Sequence, residues 1–402
     1  MNKILYLTIS YKHYSKKIHG QIHAFSRSGS EVFLCCYHGK EEAYQLLRYL
    51  GEKDGEYLFE TYFSVKKKQG YRTCFLFARE VLARFSFDMV YIRRLGISVL
   101  FYGRLIRQIK KAGIQLIYEI PTYPFEMQDH WKKAVAQKLE VTFLEHAVFP
   151  YADCIPVYCS RVSPPMRKHM LAVENSVEAA FYTGYRNLGY PEGGKELRML
   201  AIAYVQKWHG YDILLRSMRA YQGDWRLSFT LCGNPTEETH SLKILAQELG
   251  LENVSFVREE EMGDPQAFFS GFHLGIGALG IGRKGRKKKA EEDGEEEGEE
   301  YLDTSIKNKE YCAMGLPFIH GDRDISFDHH QPFHYQAGIR DGMLDLEAVI
   351  RWYSGLEKQG LRRKMHRYAE DNLDFMVNIR KILDVCQGTD LSGRVEERKS
   401  AR

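Results

Sequence analysis

No run of about 18–20 apolar residues occurs anywhere in the 402-residue chain, so the sequence predicts no membrane-spanning helix. The opening MNKILYLTIS holds one lysine and a short apolar run, too little for the core and cleavage site of a secretory signal. Cysteine is present eight times but without pattern: Cys35 and Cys36 are adjacent, Cys154 and Cys159 lie near each other, and the rest are scattered. Neither a zinc site nor a disulfide framework fits that spacing, which points to reduced thiols. The expected location is the cytoplasm, with attachment to the inner face of a membrane permitted by the basic surface residues but not required. An excess of one charge is also missing. Lys and Arg number 57 against 53 Asp and Glu, a net charge of +4, and binders of nucleic acid concentrate basic charge on one face. No nucleic-acid partner is expected. The first apolar run is followed by ISYKHYSKKIHG, which lacks the glycine-rich fingerprint of a nicotinamide dinucleotide site and argues against a dehydrogenase.

The composition is that of a soluble globular protein, with 44% hydrophobic and 27% charged residues. The length suits two or three domains of about 100–200 residues. Aromatics make up 13%, including 26 tyrosines, and such faces often stack on sugar rings.

Short apolar runs alternate with longer amphipathic ones. Strands are predicted at Lys3–Ile9, Glu31–Cys36, Asp88–Ile92, Ile114–Ile120, Cys154–Tyr158 and Leu171–Val173, with helices at Lys16–Ser26, Ile97–Lys111 and Trp131–Phe149. Tyr182 to Lys195, rich in glycine and tyrosine and without periodicity, reads as a linker. The alternation then restarts: strands at Leu197–Val205, Leu227–Cys232, Val254–Val257 and Leu274–Leu279, and helices at Tyr211–Tyr221, His240–Leu249 and Asp264–Gly271. Alternation of this kind implies parallel sheets made of right-handed crossover units. The expected architecture is α/β: a first domain over 1–181, a linker over 182–195 and a second domain over 196–360. Leu346–Leu356 and Leu361–Cys386 read as helices, the latter packing back on the first domain, and 387–402 as a frayed tail. Two doubly wound domains with a cleft between them follow, and ligands of open parallel sheets bind at the strands' carboxyl ends. Residues 283–300, RKGRKKKAEEDGEEEGEE, place a basic block beside an acidic one with no apolar residue but one alanine, the pattern of a solvated loop.

TSIKNKEYCAMGLPFIHGD, Thr304 to Asp322, has the marks of a short helix between two loops. Thr304 or Ser305 suits the N-cap, and Gly315 with Pro317 stops the helix. A helix mouth favours phosphate, yet Lys307 sits in the first turn, where a cation works against the helix dipole. An anionic ligand needing both would account for it. Glu310, three residues on, can accept hydrogen bonds from the two hydroxyls of a ribose, as carboxylates do at nucleotide sites. An ordinary i,i+3 surface ion pair is the plainer account.

LGIGALGIGRKG followed by TSIKNKEYCAMGLPF resembles the C-terminal signature of family-4 glycosyltransferases with the GT-B fold, of the kind found in capsular and exopolysaccharide biosynthesis. AYVQKWHGYDILLRSMRAY is similar to that group's first strand, loop and helix of the nucleotide-sugar domain. SFTLCGN and NVSFV resemble the next two strands, and DMVYIRR and IYEIPTYPFE its acceptor-domain segments. The resemblance runs from Lys3 to about Val377 with its motifs in order, and implies two Rossmann-like domains facing a central cleft. It implies that Lys307 and Arg283 neutralise the donor's diphosphate and that His209 and Gly210 lie near its phosphates. Glu310 would hold the ribose, with Thr304 and Ser305 at the helix mouth. Glu119, Thr122 and Tyr123 would line the acceptor side, faced by Lys17 and Gln21. No cofactor or metal is implied, because the nucleotide diphosphate sugar is a substrate; the acceptor is a glycan or lipid-linked glycan. Two positions depart from the group: Leu302 stands where the broader family has an acidic residue, and the charged run widens the gap between Arg283 and Lys307. A sugar-nucleotide epimerase and a degenerate scaffold subunit of a glycan assembly complex share the architecture and stay open.

The remaining polar clusters have plainer accounts. Glu119, before Pro121, is either a turn cap or a crevice residue. His19 and His23 are four apart but have no third ligand in view, so a half-buried helix face explains them better than a metal. His329, His330 and His334 share a predicted loop and the same reading. Asp322 and Asp324 resemble a metal pair that this fold class does not need.

Overall fold

The computed structural model describes residues 2–10, 15–53, 55–94, 99–123, 131–159, 166–191, 194–280, 305–327 and 331–388. They form two compact units. The first is built from the chain up to Cys159, the stretch ending at Glu174 and the helix from Phe375; the second runs from Asn175 to Asp374.

Unit 1 contains β1 (Lys3–Ser10), α1 (Ser15–Arg27), β2 (Glu31–His38), β3 (Ala43–Lys53), β4 (Glu56–Lys66), α2 (Tyr71–Arg84), β5 (Met89–Arg93), α3 (Val99–Lys111), β6 (Gln115–Tyr123), α4 (Trp131–Ala147), β7 (Ile155–Cys159) and β8 (Met170–Val173). Its sheet has the order β4-β3-β2-β1-β5-β6-β7-β8. The six strands from β2 to β8 in that order pair in parallel, while β3 and β4 are antiparallel. The parallel strands are continuous apolar runs because both faces are covered. Leu5, Leu7, Val90, Ile92, Leu116 and Tyr118 pack in one layer. Their neighbours along the same strands, Ile4, Tyr6, Met89, Tyr91 and Ile117, pack in the other, with Ile18, Ile22 and Phe25 of α1. The C-terminal helix Phe375–Cys386 joins that second layer through Phe375, Met376, Ile379 and Ile382. It comes so close to α1 that a β-carbon at Gly20 would overlap the Phe375 ring.

Unit 2 contains β9 (Glu196–Ile202), α5 (Tyr211–Ala220), β10 (Arg226–Cys232), α6 (Glu237–Glu248), β11 (Val254–Val257), α7 (Pro265–Ser270), β12 (Leu274–Ile276), α8 (Ile306–Met314), β13 (Phe318–His320), β14 (His334–Gln336), α9 (Leu346–Ser354) and α10 (Leu361–Tyr368). Its six-stranded sheet is parallel, in the order β11-β10-β9-β12-β13-β14. Renumbered within the unit, that is 3-2-1-4-5-6, the order of a dinucleotide-binding half. The order reverses between β9 and β12, and ligands of such sheets bind beyond the carboxyl ends at that switch point.

Four expectations differ from what the chain does. The hairpin β3–β4 had no counterpart among the predicted elements; β4 alternates exposed and half-buried residues, the pattern of an edge ribbon with one wet side. The stretch 182–195 is not a free linker. Residues Ala179–Asn187 form 3-10 turns, and Tyr185 is buried against Phe269 of unit 2, so the chain enters this unit near Asn175. The helix expected over 361–386 is split: α10 and a π turn at Ala369–Leu373 pack in unit 2, and Asp374 accepts a hydrogen bond from the Ala179 N–H (3.2 Å) before the last helix joins unit 1. Finally, His334 lies on β14 rather than in a loop, and its Nδ1 meets the Nε2 of His320 at 3.1 Å. His329 and His330 lie outside the described residues.

Candidate functional site

Helix α8 is polar in sequence yet buried over most of its surface, so each polar side chain needs a specific partner. Gly315 ends it in the left-handed conformation (φ 69°), where glycine costs least. Tyr311 crosses beneath the sheet: its hydroxyl donates to the Ile276 carbonyl (3.2 Å) and accepts from the Ile202 N–H (3.0 Å). Lys309 is held by both oxygens of Asp324 at 2.7 Å, with each side chain only 1% exposed. Asn308 Nδ2 (2.9 Å) and the Ser326 N–H (3.0 Å) donate to the same carboxylate. The suspected metal ligand Asp324 therefore has an ammonium where a cation would sit, and among the described residues no three His, Cys, Asp or Glu side chains gather as a metal site.

This anchoring aims the start of α8 at the switch point of unit 2. Ser305 occupies the N-cap position, and the Lys307 ammonium, buried, donates to the Tyr211 hydroxyl at 3.2 Å. Tyr211 opens α5 directly after Gly210, whose left-handed backbone (φ 64°) and tight surroundings admit no side chain. A β-carbon there would stand 2.9 Å from the Gly280 backbone nitrogen. The loop after β12 is thus pressed onto the loop after β9, and the Leu279 N–H donates to the His209 carbonyl (2.9 Å). The Nδ1 of His209 accepts from the Gln206 N–H (2.9 Å), which leaves Nε2 as the protonated nitrogen of the neutral ring. The imidazole lies stacked beside Tyr211, with centroids 5.5 Å apart. His209, Gly210 and Lys307, far apart in the chain, are brought together here. Glu310, one turn along α8, accepts from the Tyr182 hydroxyl (3.1 Å), a partner that no sequence signal identified. Arg283 and Thr304 lie outside the described residues, as does Leu302.

Unit 1 gathers a second polar group. Glu119 on β6 is completely buried. Its Oε1 accepts from Arg93 (2.6 Å), and its Oε2 from Tyr91 (2.5 Å) and Gln21 (2.8 Å). Burial opposes ionisation, but Arg93, Lys17 and these hydrogen bonds prevail and hold the carboxyl below its ordinary range. Gln21 is fixed in turn, accepting from Tyr6 (2.6 Å) and donating to Tyr158 (3.0 Å). The Lys17 ammonium lies over the Tyr158 ring, 3.3 Å from its centroid. Of the five expected acceptor-side residues, Glu119, Lys17 and Gln21 come together. Thr122 is exposed, and Tyr123 packs in the opposite layer with Tyr118 and Ile120. The sequence reading missed Tyr6, Tyr91, Arg93 and Tyr158. Arg93 carried a visible signal, a charge closing an apolar strand just as Glu119 does in the next one.

Burial pulls Lys17 down to about 7, with Glu119 acting against the shift and Arg93 with it. Unfolded, the lysine has its ordinary value of 10.5. Between about pH 7 and 10.5 the unfolded chain therefore binds the extra proton, and stability rises with pH across that window. Below about 7 both states are protonated and the penalty is complete. Lys17→Met is expected to raise Tm more at pH 6 than at pH 10, as calorimetry at the two pH values will read; an equal change at both would contradict this.

The histidines of α1 have packing roles. His19 packs edge-on to Tyr57 and tilted against Phe59, and burial lowers it to about 4. His23 Nδ1 meets the Tyr49 hydroxyl at 2.6 Å.

Two units in one chain, each with a doubly wound, largely parallel sheet and polar side chains gathered near strand carboxyl ends, define a two-domain α/β protein. No family model matches the chain, and no curated protein matches it in sequence. Solved structures match its fold. It is similar to a glycosyltransferase from Rickettsia africae (TM-score 0.62, 13% identity, covering 96% of this chain and 98% of that one). It is similar to Anabaena Alr3699/HepE in complex with UDP (TM-score 0.56, 11% identity, 100% of both chains). A third is the catalytic domain of starch synthase IV from Arabidopsis thaliana bound to ADP and acarbose (TM-score 0.57, 10% identity, 97% and 99%). The fold of this chain is GT-B. Among the described residues no helix is long and apolar enough to cross a membrane.

Proposed function

We propose that the chain is a retaining glycosyltransferase of family-4 type that moves a sugar from a nucleoside diphosphate sugar to a hydroxyl of a growing surface glycan, of capsular or exopolysaccharide kind. The observation that carries this reading is the meeting of Lys307, Gly210 and Gly280 at the switch point of unit 2, with Glu310 one helical turn further on. A side-chain-free backbone surface admits a diphosphate closely, and the helix mouth and Lys307 supply its counter-charge. Glu310, oriented by Tyr182, takes the ribose hydroxyls. The diphosphate is held without a metal, and the acceptor is lipid-linked and used in the cytoplasm at the inner face of the membrane.

In the reaction, the bond from the anomeric carbon to the phosphate oxygen breaks and its electron pair stays on the departing diphosphate. Lys307 and the amino end of α8 stabilise that charge as it develops, and His209 offers its Nε2–H to the same phosphates. Arg283 adds a second cation. The acceptor oxygen attacks on the face the leaving group vacates, and its proton passes to the departing phosphate, so no dedicated protein base is needed.

Incubation with a panel of nucleoside diphosphate sugars, with and without glycan acceptors, tests the reading. The expected result is acceptor-dependent release of a nucleoside diphosphate. An altered donor sugar without transfer would mark an epimerase, and no turnover of any donor would mark a scaffold. Glu310→Ala is expected to weaken nucleotide binding about 10- to 100-fold, the value of charged hydrogen bonds to a diol, as read by calorimetric titration. An unchanged affinity would remove the ribose contact.

A further inference from the structure

We propose that the outer face of α2, α3 and α4 in unit 1 docks on an anionic lipid surface, with α3 as the ridge that meets the head groups. The surface stands on its own residues; that it brings a lipid-linked acceptor to the chain rests on the transferase reading above.

The distribution of charge carries the argument. Over the whole chain the two signs nearly cancel, with 57 Lys and Arg against 53 Asp and Glu. Helix α3 departs from that balance: it holds Arg104, Arg107, Lys110 and Lys111 and no Asp or Glu. Two open furrows flank it. The one towards α2, about 940 Å³, is lined by Arg79, Arg104, Arg107 and Lys111 together with Glu80. The one towards α4, about 490 Å³, is lined by Arg107, Lys110 and Lys111. The nearby carboxylates are engaged elsewhere, Glu80 by Arg84 (2.6 Å) and Asp153 by Lys110 (3.1 Å). Arg104, Arg107 and Lys111 are exposed and, among the described residues, form no ion pair. Spaced three and four residues apart, they run along one stripe of the helix. A row of cations without counter-charge makes a positive field that a surface of opposite sign relieves.

Apolar side chains distinguish a lipid surface from other polyanions. Leu76 opens from α2 into the first furrow and Tyr151 into the second, each about half exposed. On α4, Leu139 is 66% exposed and Val135 52%. They precede His146, which lines the second furrow, by seven and eleven residues, close to whole turns, so all three share one face. A phosphate backbone or a charged glycan in water offers nothing to such aliphatic groups. At the boundary between head groups and acyl chains they leave water while the cations meet the phosphates, and tyrosine suits that depth. Arg and Lys span it, stems along the apolar surface and charges among the head groups.

Co-sedimentation of the full chain with phosphatidylcholine vesicles, with and without phosphatidylglycerol, tests the proposal. Binding is expected to be about 100-fold tighter with phosphatidylglycerol present. Combining Arg104→Gln, Arg107→Gln and Lys111→Gln should remove that advantage, at roughly fivefold per charge, and with it the weakening of binding by salt. Val135→Gln with Leu139→Gln should cost about tenfold and keep the salt dependence. All five positions are exposed, and melting curves check that the variants stay folded. No binding to anionic vesicles, or a triple variant that binds them as the wild type does, overturns the proposal. Heparin or single-stranded DNA bound as tightly as the vesicles, with the Val135 and Leu139 substitutions without effect, assigns the surface to a soluble polyanion and overturns it too. The triple variant should bind nucleoside diphosphates as the wild type does, which separates docking from the donor site. Vesicle binding by a chain that turns over no donor would leave the surface standing and remove only its link to an acceptor.

Discussion

Lys307→Ala is expected to lower the rate of sugar transfer by about 100- to 1000-fold, the cost of losing one preorganised group that faces developing negative charge. The size of the effect follows from where the ammonium is held. It is buried, fixed by the Tyr211 hydroxyl at 3.2 Å and set in the first turn of α8. There it acts on the same charge as the helix's amino end. Its position works against the helix dipole until an anion arrives, so removing it should cost catalysis more than stability. Lys307→Met preserves most of the side-chain volume and isolates the charge. It should show the same rate loss with Tm changed by only a few degrees. Steady-state kinetics on both variants, beside their melting curves, separates the two effects. A Lys307→Met enzyme within about threefold of wild type would show that the ammonium does not meet the leaving group.

Asp324→Ala is expected to destabilise the protein by about 3–5 kcal/mol, because it strands the Lys309 ammonium in a nearly dry site. That is a large share of the roughly 5–15 kcal/mol available to a folded domain. The carboxylate also holds Asn308 Nδ2 and the Ser326 N–H, so the loop that carries it loses its tie to α8. The double variant Lys309→Met with Asp324→Leu removes both charges and should recover most of the loss, since a buried pair contributes little beyond an apolar replacement. Chemical denaturation of the two single variants and the double variant closes the cycle. A single-variant loss below about 1 kcal/mol would mean that water reaches Lys309.

The two effects are linked through one helix. Lys309 faces inward and fixes α8 to the 322–327 loop, and Lys307, two residues earlier, is turned to Tyr211 as a result. Sequence reading found this helix because its signals are local: a hydroxyl at the start, Gly315 and Pro317 at the end. It also singled out Lys307 and Glu310, whose contacts the fold then sets. It could not find Tyr211 or Tyr182, which reach those two residues from 96 and 128 positions away. Partners at such separations follow from the sheet order, not from spacing.

The same contrast holds in unit 1. Parallel strands were legible as apolar runs, whereas the β3–β4 hairpin was overlooked although Gly55, directly after Asp54, is a strong hairpin signal between alternating residues. Glu119 stood out as a carboxylate at the end of an apolar strand. Its role was less visible, because complete burial and the grip of Arg93, Tyr91 and Gln21 depend on three other elements. The stretch at 182–195 misled by composition. Glycine and tyrosine without helical period describe a linker and a run of 3-10 turns equally well, and only the burial of Tyr185 against Phe269 distinguishes them.

Calorimetric titration of uridine, adenosine and guanosine diphosphates into the wild-type chain and into Lys307→Ala asks whether Lys307 meets a diphosphate. At least one of them is expected to bind the wild type, with an affinity that falls by about 100-fold in the variant, as for a lost hydrogen-bonded charge. Equal affinity in the two proteins, or no binding of any diphosphate to the wild type, would contradict it.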